Sequence, residues 1–153
     1  GGEIGHILAN RQETDKCGCG KKGCLEQYAS ATGIARLARI RLAKNNDMTL
    51  LRGQEITAKA VFDALKEGDK VAEEIVEEFG AYLGYALADV AAVIDPSMFI
   101  IGGGVSKAGP IIIQYVKKYF LEKAFFANEG TEFIIAVLGN DAGICGAAKL
   151  ILG

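Results

Sequence analysis

Apolar residues along the chain recur mostly at three- and four-residue intervals, and two short apolar runs read as strands, a pattern that predicts helices around a small remnant of sheet. The strongest stripe is Val71, Ile75, Phe79, Leu83, Leu87, Val90 and Ile94, between an Asp69 cap and Pro96, and it belongs in a core. Gly80 and Gly84 lie one turn apart on that helix, which predicts close packing against another helix or strand, at about 1 kcal/mol of helix propensity each. Upstream, Leu25 to Ala29 reads as a short helical turn, Gly33 as a break, and Ile34 to about Lys44 as a helix ended by the polar run 45–47. Residues 48–56 read as a connecting loop. Thr57 caps a helix over Ala58 to Lys66, with Gly68 just past its end. Met98 to Ile101, an apolar run between Pro96 and three glycines, predicts a buried strand. A helix from Pro110 to about Glu122 follows, then a strand over Phe133 to Val137 and a final helix through Leu152 capped by Asp141. The order gives an α/β class, with no internal repeat and no low-complexity segment.

Composition narrows the partners. Half of the 153 residues are apolar, enough for one core, and a domain of this size buries roughly two thirds of its unfolded surface. A net charge of −2 argues against a nucleic-acid partner, and Arg36, Arg39, Arg41 and Lys44 are spaced as a solvated helix face. No apolar stretch reaches the ~20 residues needed to span a bilayer, and nothing at the N-terminus reads as a signal peptide, so the expectation is a cytoplasmic protein without a membrane partner, its thiols in a reducing compartment.

The chemistry concentrates at the start. The only histidine, His6, and three of the four cysteines, Cys17, Cys19 and Cys24, fall within 24 residues. Three thiolates and an imidazole are a common closed ligand set for a structural zinc ion, and Gly18, Gly20 and Gly23 let the backbone turn tightly enough for the sulfurs to converge. Lys21 and Lys22 would offset part of the excess negative charge. The competing reading is a set of free thiols in a glycine-rich loop; a Cys17–Cys19 disulfide has poor bridge geometry. Cys145 reads as buried packing on the last helix. Gly102, Gly103 and Gly104 follow a strand; bare backbone there either admits a flat ligand or makes a tight strand-to-helix turn.

The runs GEIGH and CGCGKKGCLEQYASATGIAR, followed by IIGGGVS over 100–106 and GNDAGICGAA over 139–148, resemble the ROK family, and within it the bacterial glucokinases, over essentially the whole chain. The resemblance implies the actin-like ATPase (sugar kinase, ribonuclease H-like) fold, of which residues 1–153 would be the helix-rich second domain with an incomplete sheet and a zinc knuckle. Residues 1–27 would carry sugar and zinc, and 28–153 the helical and α/β remainder. The chain opens without Met inside GEIGH and is read as a C-terminal fragment, its phosphate-binding loop, catalytic Asp and preceding strand hairpin lying upstream.

By the same resemblance Glu3, His6 and Glu26 contact hexose hydroxyls, and Gly102, Gly103 and Gly104 lie against the adenosine and ribose of ATP. Carboxylates suit vicinal hydroxyls as acceptors, and a metal-bound imidazole keeps one ring N–H to donate. Zinc would position His6 without activating a nucleophile. The implied function is phosphorylation of the 6-hydroxyl of a hexose, glucose by resemblance alone, with ATP and Mg²⁺, the fragment by itself being inactive. The alternatives are the effector-binding half of a ROK sugar-responsive repressor and a zinc-stapled module without a ligand. The family also implies a homo-oligomer.

Overall fold

The computed structural model describes residues 2–137 and 142–152. Among the described residues, seven helices and two strands follow a 3-10 turn at Ile4–His6: α1 (Glu26–Ala29), α2 (Ala31–Lys44), α3 (Ala58–Lys66), α4 (Lys70–Ile94), β1 (Met98–Ile101), α5 (Gly103–Ser106), α6 (Ile111–Lys123), β2 (Glu132–Ile135) and α7 (Ala142–Leu152), with a second 3-10 turn at Phe126–Asn128 before β2.

The caps sit where local chemistry places them. Thr57 accepts from the Ala60 N–H and Asp69 from the Ala72 N–H, so α3 and α4 begin as the pattern predicts. Asp95 closes α4 in the left-handed region, φ 46°. Phe62, Ile75, Phe79, Ile112, Val116 and Phe120 are fully buried and form the centre of a core between α2, α3, α4 and α6. Gly84 lets α4 and α6 touch: a Cβ there would lie 2.6 Å from the Val116 carbonyl oxygen and 2.8 Å from the Phe120 nitrogen. Helix packing, as expected for Gly80 and Gly84, is the reason for both, since a Cβ on Gly80 would meet Tyr115 at 3.0 Å.

Four expectations change. Gly33 does not break the chain; it lies inside α2, which starts two residues earlier after Ser30, whose Oγ accepts from the Gly33 N–H at 2.9 Å. Its lack of a side chain serves tertiary approach, because a Cβ there would fall 2.6 Å from the Glu26 carbonyl oxygen of α1. Strand β1 is not buried: Met98 and Ile100 are exposed and Phe99 and Ile101 half-buried. It pairs in parallel with β2, Phe99 opposite Phe133, and only one face of this two-stranded sheet is covered, by the Phe99–Phe120–Phe133 cluster. At its C-terminal end β2 stops at Ile135, short of the expected Val137, which is fully exposed; likewise Ile94, the last member of the α4 stripe, stands in solvent. Asp141 and the side chain of Cys145 lie outside the described residues. Among the described residues no helix is long and apolar enough to cross a membrane.

Candidate functional site

The knuckle is a loop laced to the segment that carries His6. Two short antiparallel bridges, Leu8 with Cys24 and Lys16 with Lys22, set its frame. The Gly23 carbonyl accepts from Ala9 N–H at 2.7 Å and Asn10 N–H at 3.1 Å, and Leu25 N–H donates to the Ile7 carbonyl at 3.0 Å. Gly23 is obligatory: its φ is +74° and a Cβ would lie 1.9 Å from the Asn10 oxygen. Within the loop Cys17 N–H donates to the Lys21 carbonyl at 2.7 Å, and Gly20, at φ +86°, makes the turn.

This lacing brings His6, Cys17, Cys19 and Cys24 together, with one ligand atom from each inside 4.8 Å of the others. Cys19 and Cys24 sulfurs are 3.5 Å apart, and His6 Nδ1 is 3.8 Å from Cys17 Sγ. A tetrahedral zinc site with bonds of about 2.3 Å to sulfur and 2.0–2.1 Å to nitrogen has ligand–ligand edges of about 3.6–3.8 Å, so the donor set and its spacing fit a zinc ion. Cys17 and Cys24 are buried and Cys19 is exposed. The Cys17 thiol donates to Glu26 Oε1 at 2.9 Å, which pushes Cys17 up to about 12. The Lys21 backbone N–H draws Cys19 down, and burial raises Cys24.

Of the three expected sugar residues, the structure places Glu26 and His6 against the same sulfur, that of Cys17. Glu3 caps the Ile4–His6 turn through its carbonyl, which accepts from His6 N–H at 3.0 Å, and its side chain is exposed. An open cleft of about 330 Å³ adjoins Glu26 and Cys17 and reaches Thr32 and Arg39 on α2. The glycine triplet makes the tight strand-to-helix turn: Gly102 caps α5, and Gly103 takes φ +73°. Gly104 touches the start of α2, where its Cβ would come 3.2 Å from that of Ala31, and borders a cavity of about 270 Å³ walled by Phe62, Lys59 and Lys66 of α3 and by Val105 and Ala108.

Sequence reasoning missed the anchor behind the knuckle. Glu13 accepts from the Tyr28 hydroxyl and from Arg36 Nη2, the latter at 2.8 Å, and Arg36 also pairs with Asp15 at 2.8 Å. The Tyr28 ring stacks on Tyr82 of α4 at 3.9 Å. Burial opposes the charge on Glu13, whose side chain is 8% exposed, but the bonds from Tyr28, from the Asp15 N–H and from Arg36 outweigh it and bring the carboxyl down to about 2. The other arginines of α2 are engaged too: Arg41 pairs with Asp47 and Glu74, and Arg39 donates to the Ile56 carbonyl.

The profile of the ROK family matches residues 1–153. The chain belongs to the ROK family. It is 42% identical over 155 residues to a glucokinase of Halalkalibacterium halodurans, covering 98% of this chain and 47% of that protein. The structure is similar to half of a ROK family glucokinase from Streptomyces griseus solved with glucose and AMPPNP, at TM-score 0.85 and 36% identity over 97% of this chain and 50% of the other. The DNA-binding transcriptional repressor Mlc of Escherichia coli is 33% identical over 84% of this chain and 34% of its own length. The chain therefore spans about half the length of the glucokinases it matches, and its helix-rich architecture with a small parallel sheet is part of the ROK sugar-kinase fold, the actin-like ATPase fold.

Proposed function

We propose that this chain is the sugar-contacting and nucleotide-contacting part of an ATP-dependent hexose kinase acting on the 6-hydroxyl of glucose. The observation that carries the reading is the convergence of His6, Cys17, Cys19, Cys24 and Glu26, which brings a tetrad with the spacing to hold a metal ion beside a carboxylate aimed at the same loop. A zinc ion bound there supplies a rigid, redox-inert staple. His6, with Nδ1 turned to the sulfurs, keeps Nε2 to donate to a sugar hydroxyl. With Cys17 as a thiolate, the form in which it would hold the metal, Glu26 would be free to accept from a second hydroxyl, and Glu3 accepts from a third. Bare backbone at Gly102, Gly103 and Gly104 admits the adenosine of ATP, and the cavity beside Gly104 has Phe62 as an apolar wall and Lys59 and Lys66 at its rim.

In this reading the whole protein transfers the γ-phosphoryl group of Mg-ATP in line to the hydroxyl, with an Asp outside this chain as general base. The present residues hold the sugar, orient it and help to exclude water; by themselves they do not catalyse. The glucokinase reading is favoured over the repressor reading because the glucokinase match is both tighter and wider, 42% over 98% of the chain against 33% over 84%. The test is a chimera in which this chain replaces the matching half of the Streptomyces griseus glucokinase. ATP-dependent glucose phosphorylation that is lost on Glu26→Ala supports the reading. A folded chimera that binds glucose equally well with and without Glu26→Ala overturns it.

A further inference from the structure

Gln27 stands next to Glu26 on α1, a buried residue at 8% exposure, and both ends of its amide are used. Oε1 accepts from the Cys24 backbone N–H at 3.0 Å, and Nε2 donates to the Asp15 carbonyl at 3.1 Å. Because a backbone N–H only donates and a carbonyl only accepts, these partners fix the amide in one orientation. The two contacts lie on opposite arms of the knuckle: Asp15 precedes Cys17 by two residues, and Cys24 is the last sulfur. The Gln27 backbone N–H also donates to the Cys24 carbonyl at 3.0 Å, so Cys24 is gripped on both of its peptide groups. Asp15 is held in turn by Arg36, and Arg36 by Glu13.

From this we infer that Gln27 is a positioning residue: a clasp that sets the separation of the two arms, and so the spacing of Cys17 from Cys24, before a metal arrives. The inference rests on the metal reading of the tetrad. Groups outside the ligand shell that orient the ligands commonly change metal affinity 10–100-fold when removed. Gln27→Leu keeps the volume and the burial but leaves the Cys24 N–H and the Asp15 carbonyl without partners. Gln27→Glu restores the acceptor for Cys24 and not the donor to Asp15.

The probe is cobalt(II), whose visible spectrum reports tetrahedral thiolate coordination, titrated into the wild-type chain and both variants. Amide hydrogen exchange at Cys24 and thermal melting are measured on the same samples. The expected result is an affinity reduced at least about 10-fold in Gln27→Leu, a changed visible band, faster exchange at Cys24, and partial recovery of both affinity and protection in Gln27→Glu. A Gln27→Leu variant that melts lower yet binds cobalt with unchanged affinity and band overturns the inference and leaves Gln27 a structural residue. If Gln27→Leu does not fold, Gln27→Glu decides alone: unchanged affinity and unchanged exchange at Asp15 and Cys24 overturn it, and weakened binding supports it. A wild-type chain that gives no thiolate band at all overturns the metal reading itself, an outcome distinct from any difference between variants.

Discussion

Replacing Glu13 by Gln removes one charge from a nearly closed set of contacts, and its cost can be worked from the titration of the carboxyl. In the folded chain bonds from Tyr28, the Asp15 N–H and Arg36 overcome burial and hold Glu13 at about 2, against an ordinary value of 4.5. A depression of that size corresponds to about 3 kcal/mol of stability from the ionised form. Because the folded value is the lower one, this contribution is complete above about pH 5 and is lost as pH falls toward 2. Linkage puts about 2 kcal/mol of it gone by pH 3. Urea unfolding of the wild type and of Glu13→Gln, followed by circular dichroism at several pH values, measures it directly. The variant should be less stable by about 3 kcal/mol at pH 7 and by only about 1 kcal/mol at pH 3. A stability difference that stays constant between pH 7 and pH 3 would refute the reasoning, since it would mean that the Glu13 charge is not what holds Tyr28 and Arg36.

Other perturbations act through packing and through the knuckle. Gly84→Ala should destabilise by about 1–3 kcal/mol, because the new methyl meets the α6 backbone at Val116 and Phe120 and neither atom can turn aside; equilibrium unfolding checks it. Phe120→Ala, which empties the junction of α6 with the two strands, should cost about 3–5 kcal/mol in the same assay. Gly23→Ala should abolish metal uptake, since the close approach to the Asn10 carbonyl aligns the His6 arm with Cys24; zinc content per chain after dialysis reads this out. Removing metal with a chelator should lower the melting temperature of the wild type, and Cys17→Ser should remove most of that difference.

What could be read without coordinates was local. Thr57 and Asp69 announce their helices because a cap is a contact across three residues, and the tetrad is visible because its donor types and spacing are those of a metal site. Gly33 misled because a glycine in a helical pattern looks like a breaker, whereas its cause is the carbonyl of Glu26 on a neighbouring helix. Strand β1 misled because an apolar run says that both faces could be buried and not which face this chain covers. The Glu13 anchor and the Gln27 clasp gave no periodic signal. Glu13 meets Arg36 across 23 residues, and Gln27 meets Asp15 across 12, separations that no periodicity encodes. The signal that could have hinted at them is a buried-looking Tyr28 and Gln27 directly after the Glu26 of the knuckle, polar groups that must find partners once α1 packs.

The central claim is that the metal knuckle and Glu26 form one wall of a hexose site. Its most direct test is calorimetric titration of glucose into the zinc-loaded full-length protein that carries this chain, repeated after chelation and on Glu26→Ala. The account predicts binding in the zinc form that weakens at least about 10-fold in each of the other two, the loss expected when a hydrogen bond to a charged group worth about 1.5–3 kcal/mol is removed or misplaced. Glucose affinity unchanged by both treatments would contradict it.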